Sequence, residues 1–326
     1  MAARAASYLV AVIVCLSPFT ARAGVGNDPS AWLERMSSAM SQMSYQGTFV
    51  YVQGNEVETM RITHVAGDSG VRERLVAVSG PPREIVRDSS GVRWVLGDDL
   101  SVLADRSFSR SYFPQLPFSK DQDDLPYVLK FGQKARIAGQ TARNIKVIPR
   151  DVYRYGYSLW LEERSGLLLK WELIDSDRKP LAKLMFTDIR LGSQVDLAEL
   201  IPSARLQRFE TVESGLPAGR AGSLSKPRWQ PDRLPPGFKL TSHRFQGAGD
   251  GGQGVYEHLV YSDGLAAVSI YVENVQAAPD ASGGTERHGT LHAFSRVEND
   301  HSITVVGDVP AITVQMIGNA VHLDSH

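Results

Sequence analysis

Side chains capable of chemistry are thinly scattered along this sequence. His288 and His292 stand four apart, with Glu286 close by, and would share a face if the segment were helical. Zinc usually wants a third protein ligand and Glu286 is the one neighbour that offers itself, so solvated loop histidines are the favoured reading. "GAGDGGQG" satisfies G-x-G-x-x-G through Gly247, Gly249 and Gly252. A dinucleotide fingerprint needs a helix after the glycines, whereas "VYEHLVY" is strand-like, which favours a flexible hairpin loop. The carboxylate pairs Glu162-Glu163 and Asp123-Asp124 fall at turns, where acidic residues are common. The sequence holds no G-x-S-x-G elbow, H-E-x-x-H pair, Walker A loop or EF-hand loop. A dispersed triad stays open to any fold, but no pattern argues for an enzyme, a metal or a cofactor.

Two denser groups remain. Arg72, Arg74, Arg83, Arg87 and Arg93 interleave with Glu73, Glu84 and Asp88 on neighbouring strand-like segments. Cross-strand ion pairing on a solvated face is favoured; a guanidinium rim for the carboxylates or phosphates of a ligand is the alternative. The other group is greasy. "RYGYSLWLEERSGLLLKWEL", residues 154 to 173, reads as a hairpin turning at Arg164-Ser165-Gly166. Period-two spacing puts Tyr155, Tyr157, Leu159 and Leu161 on one face of one arm, and Leu167, Leu169, Trp171 and Leu173 on one face of the other. Arg154, Ser158, Glu162, Lys170 and Glu172 fall on the opposite, wet face. The dry face needs a cover, either a filled core or a surface for an apolar ligand.

The elements that position these groups begin after a leader. "MAARAASYLVAVIVCLSPFTARA" has Arg4 near its start, an apolar run and an A-x-A site at Ala21-Arg22-Ala23, the layout of a signal peptide cut after Ala23. Cys15 is the one cysteine and lies in that run behind Val14, so lipidation is disfavoured and the mature chain has no thiol. Losing Arg4 and Arg22 leaves 33 basic against 36 acidic residues, which gives no global reason to expect nucleic acid or an anionic membrane as partner.

Asp28 and Pro29 then open a helix whose Trp32, Met36, Ala39, Met40 and Met43 form one stripe. From Gly47 the period becomes two. Successive hairpin-like segments run to "KPLAKLMFTDIRL", with connections too short for crossover helices, which predicts an antiparallel meander. Residues 202–227 lose the pattern and read as a connection, partly strand at Arg205 to Val212 and mobile from Ser214 to Lys226. A second unit starts at Trp229, with a hairpin around Ser262-Asp263-Gly264 and a short closing helix with Pro310 in its first position.

"MSYQGTFVYVQGNEVETMRITH", "SGPPREIVR", "YGYSLWLEERSGLLLK", "HLVYSDGLAAVSIYVE" and "TVVGDVPAITVQMIGNAV" resemble successive blocks of the RseB/MucB family, periplasmic regulators of the envelope-stress (sigma-E type) sigma factor, and fit its MucB branch better. The resemblance spans essentially the whole mature chain. It implies a mostly β fold, with an unclosed antiparallel β-barrel similar to periplasmic lipoprotein carriers over residues 24–203. A linker over 204–227 and a smaller α+β domain over 228–326 would follow the signal peptide and barrel. It also implies a protein that binds the periplasmic region of a membrane anti-sigma factor, protects it from proteolysis, and lets go on binding lipid or a lipopolysaccharide fragment. Trp32, Met36, Met40, Tyr157, Leu159, Leu169 and Trp171 would line the lipid pocket. Tyr256, His258, Tyr261, Ser269 and Tyr271 would face the protein partner. A lipid or lipoprotein carrier is the alternative, and self-association is left open.

Overall fold

A computed structural model describes residues 28–68, 70–80, 82–88, 91–96, 101–104, 113, 126–192, 195–203, 226–246, 256–275 and 283–324. The leader, most of the expected linker and the Gly247–Gly252 fingerprint lie outside them.

Helix α1, Pro29–Gln42, starts where the sequence places it: the Asp28 carboxylate accepts the Ser30 N–H at 2.9 Å, and Pro29 fits the first turn. Twelve strands then build one antiparallel sheet: β1 Tyr45–Gln53, β2 Glu56–Gly67, β3 Gly70–Ala77, β4 Arg83–Asp88, β5 Gly91–Leu96, β6 Ser101–Ala104, β7 Tyr127–Phe131, β8 Ala135–Ile137, β9 Gln140–Pro149, β10 Gly156–Glu162, β11 Leu168–Ile174 and β12 Pro180–Leu191. Their order is β6-β5-β4-β3-β2-β1-β12-β11-β10-β9-β7, with β8 also on β9. Each neighbour but the β1–β12 and β7–β9 pairs follows in sequence, so the sheet is a meander whose two arms are joined by β1 pairing with β12. Among the described residues the edges β6 and β7 do not pair with each other, and the barrel is open.

The second unit contains β13 Trp229–Pro231, β14 Lys239–Gln246, β15 Tyr256–Ser262, β16 Ala267–Asn274, β17 Gly284–His288, β18 Leu291–Glu298, β19 His301–Gly307, α2 Ala311–Ala320 and β20 Val321–Leu323. Six of these strands form a sheet ordered β14-β15-β16-β19-β18-β17, and β13 pairs with β20. Pro310 caps α2 from just outside rather than occupying its first position. Helix α2 lies on β18 and β19 so closely that a Cβ on Gly318 would meet Phe294 Cδ1 at 2.3 Å, which explains a glycine inside a helix.

Each unit has its own core. The first gathers Leu33, Phe49, Ile62, Ile145, Leu161, Leu184 and Phe186 with residues of α1; the second gathers Leu259, Val268, Ile270, Ile303, Val305, Val314 and Ile317. In the 154–173 hairpin a register shift opposite Trp160 and Leu161 breaks strict alternation, so that Leu168 and Leu169 are both fully buried.

Three local expectations change. Arg154 and Glu162 do not sit on a wet face: both are buried. Glu162 instead closes its own turn, accepting the Ser165 N–H at 2.6 Å and the Arg164 N–H at 3.1 Å. Burial pushes that carboxyl up, and the bonds from Ser165 and Arg164 outweigh it, leaving it below the usual carboxylate range. His288 and His292 are neither helical nor in a loop; they belong to β17 and β18, where Arg287 is the residue opposite His292.

Candidate functional site

All seven residues expected to line a lipid pocket belong to one apolar cluster or pack against it. Helix α1 delivers Trp32, Met36 and Met40; Leu159 and Trp171 face each other across β10 and β11, with Tyr157 and Leu169 beside them. Met36, Leu159 and Leu169 are fully buried and Met40 and Tyr157 partly so. Tyr51 tilts against Trp171 at 5.9 Å between ring centroids. Two residues along β1 on the same face, Phe49 packs with Phe113 and Phe186, the three ring centroids standing 5.6 to 6.1 Å apart. Among the described residues the Trp32 indole N–H is buried without a hydrogen-bond acceptor.

Among the described residues this face is covered by helix α1, by Phe113 from the segment between β6 and β7, and by turns of the second unit. Helix α1 spans one end, tied down by Arg35 Nη2 donating to the Glu163 carbonyl at 3.3 Å. The other end is met by turns of the second unit. Leu265, in the β15–β16 turn, packs against the first unit's apolar cluster. Beside it, Asp263 forms an ion pair with Arg154, and neither side chain is reached by solvent. Tyr127 Oη donates to Asp263 Oδ2 at 3.0 Å, and Arg154 also donates to the Asp151 carboxylate at 3.0 Å and the Pro236 carbonyl at 2.7 Å. The guanidinium carbon stands 5.5 Å above the Tyr127 ring and 5.1 Å above the Phe238 ring. A buried cation of this kind is tolerated only with this many partners.

Gln53 Nε2 donates to Thr290 Oγ1 at 2.8 Å, and Thr313 Oγ1 donates to the Tyr153 carbonyl at 2.7 Å. Tyr155 Oη lies 3.4 Å from His292 Nδ1, whose proton goes to the Val309 carbonyl at 2.8 Å. Gly289 has φ +62, and a Cβ there would meet Gln53 Nε2 at 2.7 Å; glycine both suits the positive φ and leaves room for the Gln53 side-chain amide. Burial raises the Tyr127 hydroxyl far above its usual range, with the Asp263 carboxylate adding to the effect. The Tyr157 hydroxyl is raised for the same first reason, with Asp308 and Asp263 contributing. At its centre the second unit supplies a carboxylate and the first a guanidinium and a phenol, with neither charged side chain reached by solvent.

The five residues expected to face a protein partner separate. Tyr256, His258, Ser269 and Tyr271 share the face of β15 and β16 turned away from the core; His258 stacks on Tyr271 at 4.4 Å with planes 4° apart, and Tyr256 leans on Tyr271 at 6.1 Å. Tyr261 points the other way, into the core, and burial with help from Glu257 pushes its hydroxyl up to about 12. Burial, then the Arg244 cation, lowers the His258 imidazole below its ordinary 6.5.

The arginine cluster resolves into ion pairs where its side chains are described. Arg74 Nε donates to Glu84 at 2.6 Å, Arg83 to Glu58 at 3.1 Å, and Arg87 stands 3.9 Å from Glu73. Burial raises the Glu84 carboxyl, and bonds from Ser203 and Arg74 more than offset it. Sequence reasoning passed over Arg154, Asp263 and Leu265 as a set, because residues 109 apart meet only once two domains dock. The clue within reach was Asp263 in a Ser-Asp-Gly-Leu turn, where leucine is an unusual occupant of an exposed hairpin tip.

Comparison with known proteins agrees with this architecture along its whole length. The sigma factor AlgU regulatory protein MucB of Pseudomonas aeruginosa is 31% identical over 294 residues, 89% of each chain. The sigma-E factor regulatory protein RseB of Escherichia coli is 25% identical over 302 residues, 92% of each chain. Among solved structures, that of MucB in complex with MucA(peri) superposes with a TM-score of 0.70 at 27% identity, covering 92% of this chain and 100% of that one. The Pseudomonas aeruginosa MucA/MucB complex gives a TM-score of 0.72 at 28% identity, with the same coverage. The MucB/RseB N-terminal domain model matches residues 28–204 and the MucB/RseB C-terminal domain model residues 223–322, and the chain therefore belongs to the MucB/RseB family.

Proposed function

We propose that this chain is a periplasmic regulator that grips the periplasmic region of a membrane anti-sigma factor and shields it from regulated proteolysis. Lipid or a lipopolysaccharide fragment then makes it let go. The observation that carries the reading is the end-to-end likeness to MucB as captured with MucA(peri), which includes both units. Its relatives are named as regulatory proteins. The leader cut after Ala23 would deliver the chain to the periplasm.

In this reading residues 24–203 sense lipid, 204–227 connect, and 228–326 hold the partner. An apolar interior lined by Trp32, Met36, Met40, Tyr157, Leu159, Leu169 and Trp171 rewards an acyl chain by about 0.8 kcal/mol for each buried CH₂. Methionine and the α1 stripe give that interior some ability to repack. The unpartnered Trp32 N–H is suited to an ester or amide carbonyl of such a ligand. The aromatic face of Tyr256, His258 and Tyr271, with Ser269, offers the second unit's surface for the partner; Tyr261 would serve only as support beneath it.

Antagonism requires reciprocity: if lipid weakens the partner's grip, the partner weakens lipid binding by the same factor. Calorimetric titration of lipid into the mature protein, with and without a saturating periplasmic fragment of the anti-sigma factor, measures both halves. Lipid affinity lowered by the fragment is expected; equal affinity in the two titrations would rule the mechanism out.

A further inference from the structure

We propose that the Asp263–Leu265 turn occupies, from within the chain, the seat that an anionic acyl lipid takes when it binds. An acyl chain replaces Leu265 against the first domain's apolar cluster, and a phosphate or carboxylate headgroup replaces the Asp263 carboxylate on Arg154 and Tyr127. The inference rests on the lipid-sensing reading above and specifies the ligand's chemistry and the way it acts.

The turn has the two-part chemistry of a small anionic lipid. Leu265 is the second domain's contribution to the first domain's apolar cluster, and Asp263 brings a carboxylate to the cluster's rim. The turn holds itself in that shape, since Asp263 Oδ1 accepts the N–H groups of Leu265 and Ala266 at 2.8 Å each. Arg154 fixes the headgroup requirement. Its side chain has no solvent access, so withdrawal of Asp263 leaves it Asp151, one-fifth exposed, as its one carboxylate among the described residues, beside the Pro236 carbonyl. A neutral lipid that displaced the turn would leave Arg154 Nη1 buried without its carboxylate, whereas one carrying a phosphate or carboxylate refills that position beside the pairing with Asp151. Tyr127 Oη, now donating to Asp263, supplies a second donor to the same headgroup. Tyr127, which donates to Asp263, belongs to the same apolar cluster against which Tyr157 packs, so the residues of the expected pocket adjoin the seam.

Displacement has a mechanical consequence. The turn lies between β15 and β16, the strands carrying the Tyr256–His258–Tyr271 face, so withdrawing it moves the end of the partner-binding surface. Lipid and partner then oppose one another with no shared contact.

The test measures binding of three 14-carbon probes, each kept monomeric, to the mature full-length chain: lysophosphatidic acid, myristic acid and monomyristin. Leu265→Ala removes the internal competitor's tail and is expected to tighten the two anionic probes about tenfold, because apparent affinity scales with the fraction of molecules whose seat is free. Asp263→Asn should tighten by a common factor every probe that displaces the turn, with the anionic probes remaining the tighter binders. A preference for the phosphate or for the carboxylate probe assigns the headgroup within the shared chemistry. Urea midpoints check folding, and Leu265→Ala alone decides if Asp263→Asn does not fold. Probes that bind the wild type but respond to neither substitution overturn the competing turn and leave the sensor reading standing. Monomyristin binding as tightly as both anions overturns the headgroup assignment. A chain that binds none of the probes in any variant overturns the sensor reading itself.

Discussion

The two sheets solve the problem of an apolar face differently. The six-stranded sheet is covered by its own helix α2, pressed onto β18 and β19 where Gly318 removes the side chain that would hold it off. Among the described residues the twelve-stranded sheet is covered by α1, by Phe113 and, at the end away from α1, by a turn borrowed from the neighbouring domain. A cover built into its own chain segment leaves only by unfolding. A cover lent by another domain leaves by rigid-body motion, at the cost of one seam. The difference teaches where a ligand can enter without denaturing the protein.

Substitutions can break this contrast in graded steps. Arg154→Ala has the largest expected effect. It strands Asp263, which no solvent reaches, and should cost about 3–5 kcal/mol. Calorimetry should show the two domains melting separately where the wild type melts with coupling between them. Ile317→Ala, in the self-contained cover, should cost about 2–5 kcal/mol and lower the second domain's urea midpoint alone. Gly289→Ala forces a Cβ against Gln53 and should weaken the seam by about 1–3 kcal/mol, read as faster backbone hydrogen exchange at β1 and β18 near Gln53 and Thr290 with each core unchanged. Breaking the surface pair by Arg83→Ala should move stability by less than about 1 kcal/mol.

The proposed partner-binding face sharpens the contrast through pH. The unfolded chain protonates His258 near its ordinary 6.5, the folded chain only at lower pH. The unfolded state therefore binds more protons in that window, and stability falls as pH drops below about 6.5. Denaturation midpoints of the second domain against pH should show this slope, and His258→Phe should flatten it.

Much of this was legible in the residues. Asp28-Pro29 marked the start of α1, period-two runs marked the hairpins, and turn residues at 164–166 and 262–264 marked their ends, because these signals are local. Alternation failed at two kinds of place. A bulge carried Leu168 inward together with Leu169, a register effect that composition does not encode. Tyr261 was grouped with Tyr256 and His258 although odd and even positions of a strand face opposite ways, and the core claimed it. The 154–263 pair was invisible for a different reason. Arg154 precedes β10 and reads as one more polar residue of a wet face until a second domain buries it. Strand β17 was missed as well, since "GTERH" is polar throughout and every one of its residues is exposed.

The central claim is that ligand binding in the first domain withdraws the second domain's turn. Residues 24–326 contain no cysteine, so Val57→Cys and Val297→Cys, at two exposed sites, place one spin label on each domain. Electron–electron distance measurements with and without lysophosphatidic acid then read the seam directly. The account predicts one narrow distance in the free protein and a longer, broader one when the lipid is bound. A distance unchanged at saturating lipid would contradict it.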